Sequence, residues 1–310
     1  MTRKQREDLD AILRHAPFDV GGDVPEQREL FHGMIAGIPL PADVVTTPGE
    51  LGGVPVLTVE VTGATEAAGE GPVPVLLYFH GGAYVLGSAD DSAGLASDVA
   101  RRAGVRAISV DYRLAPEHPF PAAVDDAVAA YRALLDSGTP SSAIAFVGES
   151  AGGGLVAATL AALGDAGLPQ PACAAVFSPW ADLTVSGNSA VGKAKADPAL
   201  SPEALRTRAR DYLRDADPGT PLASPIFADL TGLAPLLIQV GSHEVLLDDA
   251  VRLAARAGEH DVAVRLQVWP GVPHVFQAFA ALLDEAGAAL DEAAAFLRAG
   301  LRSAAADPEG

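Results

Sequence analysis

Three things are scarce in this chain of 310 residues: cysteine, positive charge and long unbroken apolar runs. Its single cysteine, Cys173, excludes an intramolecular disulfide and a thiolate metal cluster, and no metal site is expected. The setting Ala172-Cys-Ala-Ala-Val-Phe177 is that of a small core residue. Lys and Arg total 21 against 40 Asp and Glu, a formal charge of −19. That balance argues against nucleic acid, which needs a basic face, and against anionic membrane surfaces. The longest charge-free stretches are broken by Pro, Gly, His or Gln, so no transmembrane helix is expected. Arg3, Lys4 and Arg6 near the start are not followed by the apolar core of a signal peptide, and a cytoplasmic location is the expectation.

What is present is ordinary globular composition, 49 % hydrophobic and 20 % charged, in a chain long enough for one large domain or two smaller ones. Short apolar runs at Val54–Thr62, Val73–Phe79, Val105–Val110, Ala143–Val147, Ala174–Phe177, Leu236–Val240 and Ala263–Val268 predict strands, several buried on both faces. Helical patterns alternate with them. Pro121–Ser137 stops at Gly138, Leu246–Ala257 stops at Gly258, and Asp284–Arg302 carries Leu290, Ala294, Leu297 and Leu301 on one face. Alternation of this kind predicts an α/β fold, a largely parallel sheet with helices on both faces. Residues 1–45 and 182–222 break the rhythm, the second through Asp197-Pro, Ser201-Pro and Asp217-Pro around a charged helix near Glu203–Arg214. Both read as one helical cap over the open end of the sheet, leaving 46–181 and 223–303 as the main domain.

The chemistry concentrates in four places. Gly148-Glu-Ser-Ala-Gly152 follows a strand and precedes the helical run Gly153-Gly-Leu-Val-Ala-Ala-Thr-Leu160, the context of a nucleophile elbow with Ser150 at its tip. His80-Gly-Gly-Ala-Tyr84 ends another strand, where Gly81 and Gly82 N–H groups could join that of Ala151 to hold an oxyanion. His80 itself reads as a loop anchor. Of the seven histidines, His274 lies in a turn-rich loop beyond a strand's carboxyl end, where open α/β sheets collect their chemistry. His15, His32, His118 and His260 read as surface or packing residues. Glu244 stands just past the strand Leu236–Val240 as the acid to orient His274, with Asp248 as rival. Asp248, Asp249, Asp284, Glu285, Asp291 and Glu292 lie near helix starts, where acids favour the dipole, and read as surface.

Together, His80-Gly-Gly-Ala, Gly148-Glu-Ser-Ala-Gly-Gly153 and Asp111-Tyr-Arg-Leu-Ala-Pro-Glu-His-Pro-Phe-Pro-Ala-Ala123 resemble the hormone-sensitive-lipase-like (bacterial family IV) esterases over residues 50–300. The resemblance implies an α/β-hydrolase fold, a helical cap and no cofactor. By match of motif it makes Ser150 the nucleophile, His274 the base, and Gly81, Gly82 and Ala151 the oxyanion hole. Glu244 and Ala83 depart from the family's usual Asp and Gly. The stretch with Arg113, Glu117 and Asp125 reads as structural bracing. The implied activity is hydrolysis of short- to medium-chain esters through an acyl-enzyme. A lactone hydrolase, a deacetylase of a small neutral ester, and a non-catalytic ligand-binding homologue are the alternatives. Phe31, Met34, Ile35, Tyr84, Leu86, Trp180 and Leu183 are candidates for the substrate lining. A small neutral ester or lactone is the expected partner, because no Lys or Arg gathers at the motifs, and a homodimer stays open.

Overall fold

A computed structural model describes residues 3–63 and 73–306. Eight strands form one sheet in the order β1-β2-β4-β3-β5-β6-β7-β8. They are β1 (Val44–Leu51), β2 (Val54–Val61), β3 (Val75–Phe79), β4 (Arg106–Val110), β5 (Ile144–Glu149), β6 (Cys173–Phe177), β7 (Leu236–Gly241) and β8 (Val264–Trp269). β1 and β2 pair antiparallel and β2 runs antiparallel to β4; every other neighbour is parallel.

The sequence reading missed β1, because Pro48 and Gly49 interrupt its pattern. As an edge strand it tolerates a residue with no N–H to donate, and Pro48 sits opposite Leu57. The hairpin turn is Gly52-Gly53, with φ of 60° and 84°, the positive values a two-residue turn between twisted strands requires. Strand β1 also begins at Val44, two residues inside the segment assigned to the cap.

β3, β5, β6 and β7 are buried at every position, as strands covered on both faces must be. Leu77, Phe79, Phe146, Val176 and Ile238 point into a core shared with the helices Ala122–Asp136, Ala151–Asp165 and Leu247–Glu259. Leu76, Tyr78, Ala145, Val147, Ala175 and Leu237 point the other way, onto Ala93–Ala103 and Asp284–Ala306. In chain order, and after two N-terminal helices, α1 (Arg3–Arg14) and α2 (Val24–Ala36), these are α3 (Ala93–Ala103), α4 (Ala122–Asp136) and α5 (Ala151–Asp165). They continue with α6 (Asn188–Gly192), α7 (Pro202–Leu213), α8 (Leu247–Glu259) and α9 (Asp284–Ala306). α8 does not stop at Gly258. It runs to Glu259, and Asp261 takes the left-handed position at φ 58° while Val262 N–H closes back on Ala257 O. Asp tolerates that conformation, so the closing residue need not be glycine.

The two irregular segments meet. Arg208 of α7, 3 % exposed, donates to Gly22 O, and Arg14 of α1 donates to the carbonyls of Lys195 and Ala196. Leu9 of α1 fills a small separate core with Val272, Phe276 and Leu283. Side chains cap both α2 and α7, Asp23 accepting from Glu26 N–H and Ser201 from Ala204 N–H, each followed by Pro in the first turn.

Candidate active site

All four motif positions fall at the carboxyl ends of parallel strands, the usual place for chemistry in such sheets. Ser150 links β5 to α5 with φ 55° and ψ −121°, a conformation that costs a non-glycine residue about 1–3 kcal/mol. Its neighbours explain why the elbow needs glycine. A Cβ at position 152 would lie 2.0 Å from Phe79 O, and one at position 148 would lie 2.4 Å from Gly152 O. Ser150 N–H donates to Phe177 O at 2.9 Å, which ties the elbow to the neighbouring strand.

His274 Nε2 is 3.0 Å from Ser150 Oγ, and His274 Nδ1 is 2.8 Å from Glu244 Oε2. Glu244 is fully buried. Its other oxygen accepts from Gly241 N–H at 2.6 Å and from Ser178 Oγ at 2.8 Å. Ser178 Oγ in turn accepts from Val275 N–H at 3.0 Å, so one hydroxyl joins the acid to the loop that carries the histidine. That loop presses onto the strand end: a Cβ at Gly241 would stand 2.3 Å from Val272 O. Sequence reasoning missed Ser178, although a serine directly after a buried parallel strand was the available hint.

The structure separates Glu244 from its rival. Asp248 Oδ2 accepts from Ser189 N–H at 3.0 Å, and Asp248 N–H donates to Ser189 Oγ at 2.9 Å, a reciprocal pair joining α6 to α8. Two acids expected at the surface are buried instead. Asp249 Oδ2 accepts from both Ala181 and Asp182 N–H at 2.9 Å, and burial pushes its pKa well above the carboxylate range. Glu285, 3 % exposed, faces Arg6 at 3.3 Å. A helix start attracts acids on either side of a protein, so the sequence pattern did not distinguish buried from solvated ones.

The glycine-rich loop also departs from expectation at one residue. Gly81 N–H donates to Glu149 Oε1 at 2.9 Å, so it points into the protein and is not a free donor. The N–H groups of Gly82, Ala83 and Ala151 make no hydrogen bond among the described residues. Gly82, Ala83 and Tyr84 have successive φ values of 109°, 55° and 63°, an unusual run of positive φ that carries two consecutive unpaired donors. His80 behaves as an anchor: Nδ1 lies 2.7 Å from Gly81 O, and the ring stacks on Tyr112 at 4.1 Å. Burial lowers its pKa. In the stretch expected to brace, Arg113 pairs with Asp126 at 2.7 Å and Arg28 of α2 pairs with Glu117 at 2.8 Å, whereas Asp125 is exposed and its neighbour Asp126 takes the bond.

Of the seven lining candidates, Tyr84, Leu86, Trp180 and Leu183 lie in the main core. Tyr84 stacks on Tyr212 of α7 at 4.0 Å and stands 6.0 Å from Trp180. Phe31 and Ile35 are half-buried on α2, with Phe31 against Phe18 at 5.2 Å, and Met34 is exposed. Asp197, which the sequence offered only as a helix breaker, is buried and accepts from Val245 N–H at 2.8 Å, next to Glu244. Burial raises its pKa, and nearby His274 opposes that rise.

Sheet order, elbow and acid–imidazole–hydroxyl line are those of an α/β-hydrolase. Residues 76–278 match the alpha/beta hydrolase fold family. An acetyl-hydrolase of Streptomyces hygroscopicus is 48 % identical over 223 residues, 72 % of this chain and 75 % of that protein. Among solved structures, an esterase of the bacterial hormone-sensitive lipase family superposes with TM-score 0.91 at 41 % identity, covering 97 % of this chain and 99 % of that one. EstE5, in crystals soaked with p-nitrophenyl butyrate, gives a TM-score of 0.89 at 38 % identity over 97 % of this chain and 100 % of its own. The chain belongs to the bacterial hormone-sensitive-lipase-like esterases, carboxylic ester hydrolases of the α/β-hydrolase fold. Among the described residues no helix is long and apolar enough to cross a membrane.

Proposed function

We propose that the protein hydrolyses small neutral esters of short- to medium-chain acids through Ser150, His274 and Glu244. The reading rests on one observation, the unbroken line from Ser150 Oγ through both ring nitrogens of His274 to the Glu244 carboxylate. His274 Nε2 takes the hydroxyl proton as Ser150 Oγ attacks the ester carbonyl carbon. Glu244 accepts from Nδ1–H, which fixes the tautomer and stabilises the imidazolium. The tetrahedral oxyanion is held by the N–H groups of Gly82, Ala83 and Ala151. Collapse expels the alcohol, which leaves with the proton from His274, and water then hydrolyses the acyl-enzyme by the same steps.

The acyl-length assignment draws support from a relative named for acetyl hydrolysis and from one crystal soaked with a butyrate ester. In this reading, the segment before β1, up to residue 43, and residues 182–222 form the cap, through their mutual contacts at Arg208 and Arg14. Ser150→Ala should lower kcat by about 10⁶ on p-nitrophenyl acetate and butyrate. Near-normal turnover by that variant would overturn the mechanism. A p-nitrophenyl series from C2 to C16, run beside five- and six-membered lactones, should peak at short or medium chain. A maximum on lactones would reassign the substrate class.

A further inference from the structure

Glu149 occupies the variable position of the Gly-x-Ser-x-Gly motif, and the chemistry outlined above makes no use of it. Its carboxylate is nonetheless built into the site. The residue is 7 % exposed, and Oε1 accepts from Gly81 N–H at 2.9 Å and from Ser92 Oγ at 3.1 Å. The Tyr78 hydroxyl of β3 lies beside it. Gly81 is pressed between neighbours: a Cβ there would meet Glu149 Cγ, Glu149 O and Ser150 Cβ, each at 3.3 Å. One peptide further on, the chain enters its run of positive φ and presents the unpaired N–H groups of Gly82 and Ala83.

We propose that Glu149 is a positioning residue of the oxyanion loop: by accepting the Gly81 N–H, its side-chain oxygen sets the orientation of the next two donors relative to Ser150. This deepens the reading of the site as a serine esterase and rests on it. The anchor is local on both sides, since Glu149 is covalently next to the nucleophile and Gly81 covalently next to the hole. A change in one carboxylate therefore changes the distance between nucleophile and oxyanion donors without touching either. Only an acceptor is required, not a charge. Burial lifts the Glu149 carboxyl to about 7, so near neutrality much of it carries a proton while Oε1 remains an acceptor. An oxyanion hole acts on the transition state far more than on the ground-state carbonyl, so the effect should fall on kcat and leave KM nearly alone.

The test compares Glu149→Gln, which keeps an acceptor oxygen, with Glu149→Met, which keeps length and burial but removes it. With p-nitrophenyl acetate, Glu149→Gln should retain kcat within about threefold, and Glu149→Met should lose about 10²-fold with KM changed less than about threefold. Affinity for a trifluoromethyl ketone, which becomes a tetrahedral oxyanion on Ser150, should fall with kcat/KM across the pair. Equal activity of the two variants, or a loss carried by KM, overturns the proposal. If Glu149→Met does not fold, Glu149→Gln decides alone, and a fall of tenfold or more overturns it. Ser150→Ala, run alongside, separates the two ideas. If it is active the esterase mechanism falls; if it is inactive while Glu149→Met is normal, only the positioning role falls.

Discussion

The two sides of Ser150 are held by opposite means. On the base side every acceptor is occupied: Glu244 takes three donors, from His274, Gly241 and Ser178, and Ser178 also holds Val275. On the oxyanion side the donors stand free, and the loop keeps its shape through backbone contacts too close for any side chain at Gly82 and Gly152. The difference follows from what each side must do. A base has to keep one ring in one tautomer, which hydrogen bonds to its partner accomplish. An oxyanion hole has to leave its N–H groups unpaired until charge develops, so hydrogen bonds to those groups cannot be what holds it. Close packing, positive φ and hydrogen bonds to neighbouring groups, such as Gly81 N–H to Glu149 and Val85 N–H to Gly82 O, do that work instead.

The largest effect should come from breaking the saturated side. Glu244→Gln leaves an amide that cannot accept from Gly241, Ser178 and His274 at once, and one face of it must meet a donor with a donor. We expect kcat to fall about 10⁴-fold, as when the orienting acid of a triad is converted to its amide. Asp248→Asn, in the bond between α6 and α8, should keep kcat within about threefold and lower stability by about 1 kcal/mol. Steady-state kinetics on one short ester and a urea melt of each variant test the pair. The reverse ranking would move the acid's role to Asp248.

Breaking the strained side should cost less. At Gly82 φ is 109°, and an added Cβ would stand 2.1 Å from Leu86 O. Gly82→Ala must therefore shift the loop and with it two donors, and kcat should drop about 10²–10³-fold with little change in KM. A melt reports whether the loop alone has moved. A variant with normal kcat would show that the free N–H groups are not the ones that hold the oxyanion.

The contrast also accounts for what the sequence made legible. The central parallel strands β3, β5, β6 and β7 were readable because burial on both faces makes each a continuous apolar run between turns, as in Val75–Phe79 and Leu236–Val240. Ser150 and Glu244 were readable because each follows such a run within three residues, whereas His274 lies in the loop beyond the partly exposed β8 and was readable from that turn-rich setting. β1 was not, since Pro48 and Gly49 mask an edge strand. Which loop donors stay free was not readable either. That depends on where the Glu149 side chain turns, and a motif's variable position carries no mark of it. The burial of Asp249 was hidden for a related reason: an acid in a helix's first turn looks the same in sequence whether it meets solvent or two backbone N–H groups.

The last effect concerns stability and not turnover, and it belongs to Glu149, the carboxylate on the oxyanion side. Glu244 has three donors, whereas Glu149 has two on one oxygen, and burial pushes its pKa up to about 7. A glutamate in the unfolded chain titrates near ~4.3. Between those values the folded protein keeps a proton that the unfolded chain has released. The contribution to stability is therefore complete below about pH 4.3, is lost as pH rises toward 7, and levels off above it. Glu149→Gln removes this titration and leaves the other buried acids, Asp249 and Asp197 among them, in place. Relative to wild type it should gain about 2–3 kcal/mol between pH 5 and pH 8, read from urea midpoints at the two values. Parallel curves for the two proteins would mean that burial does not raise the Glu149 carboxyl, and the contrast between the two buried acids would fall.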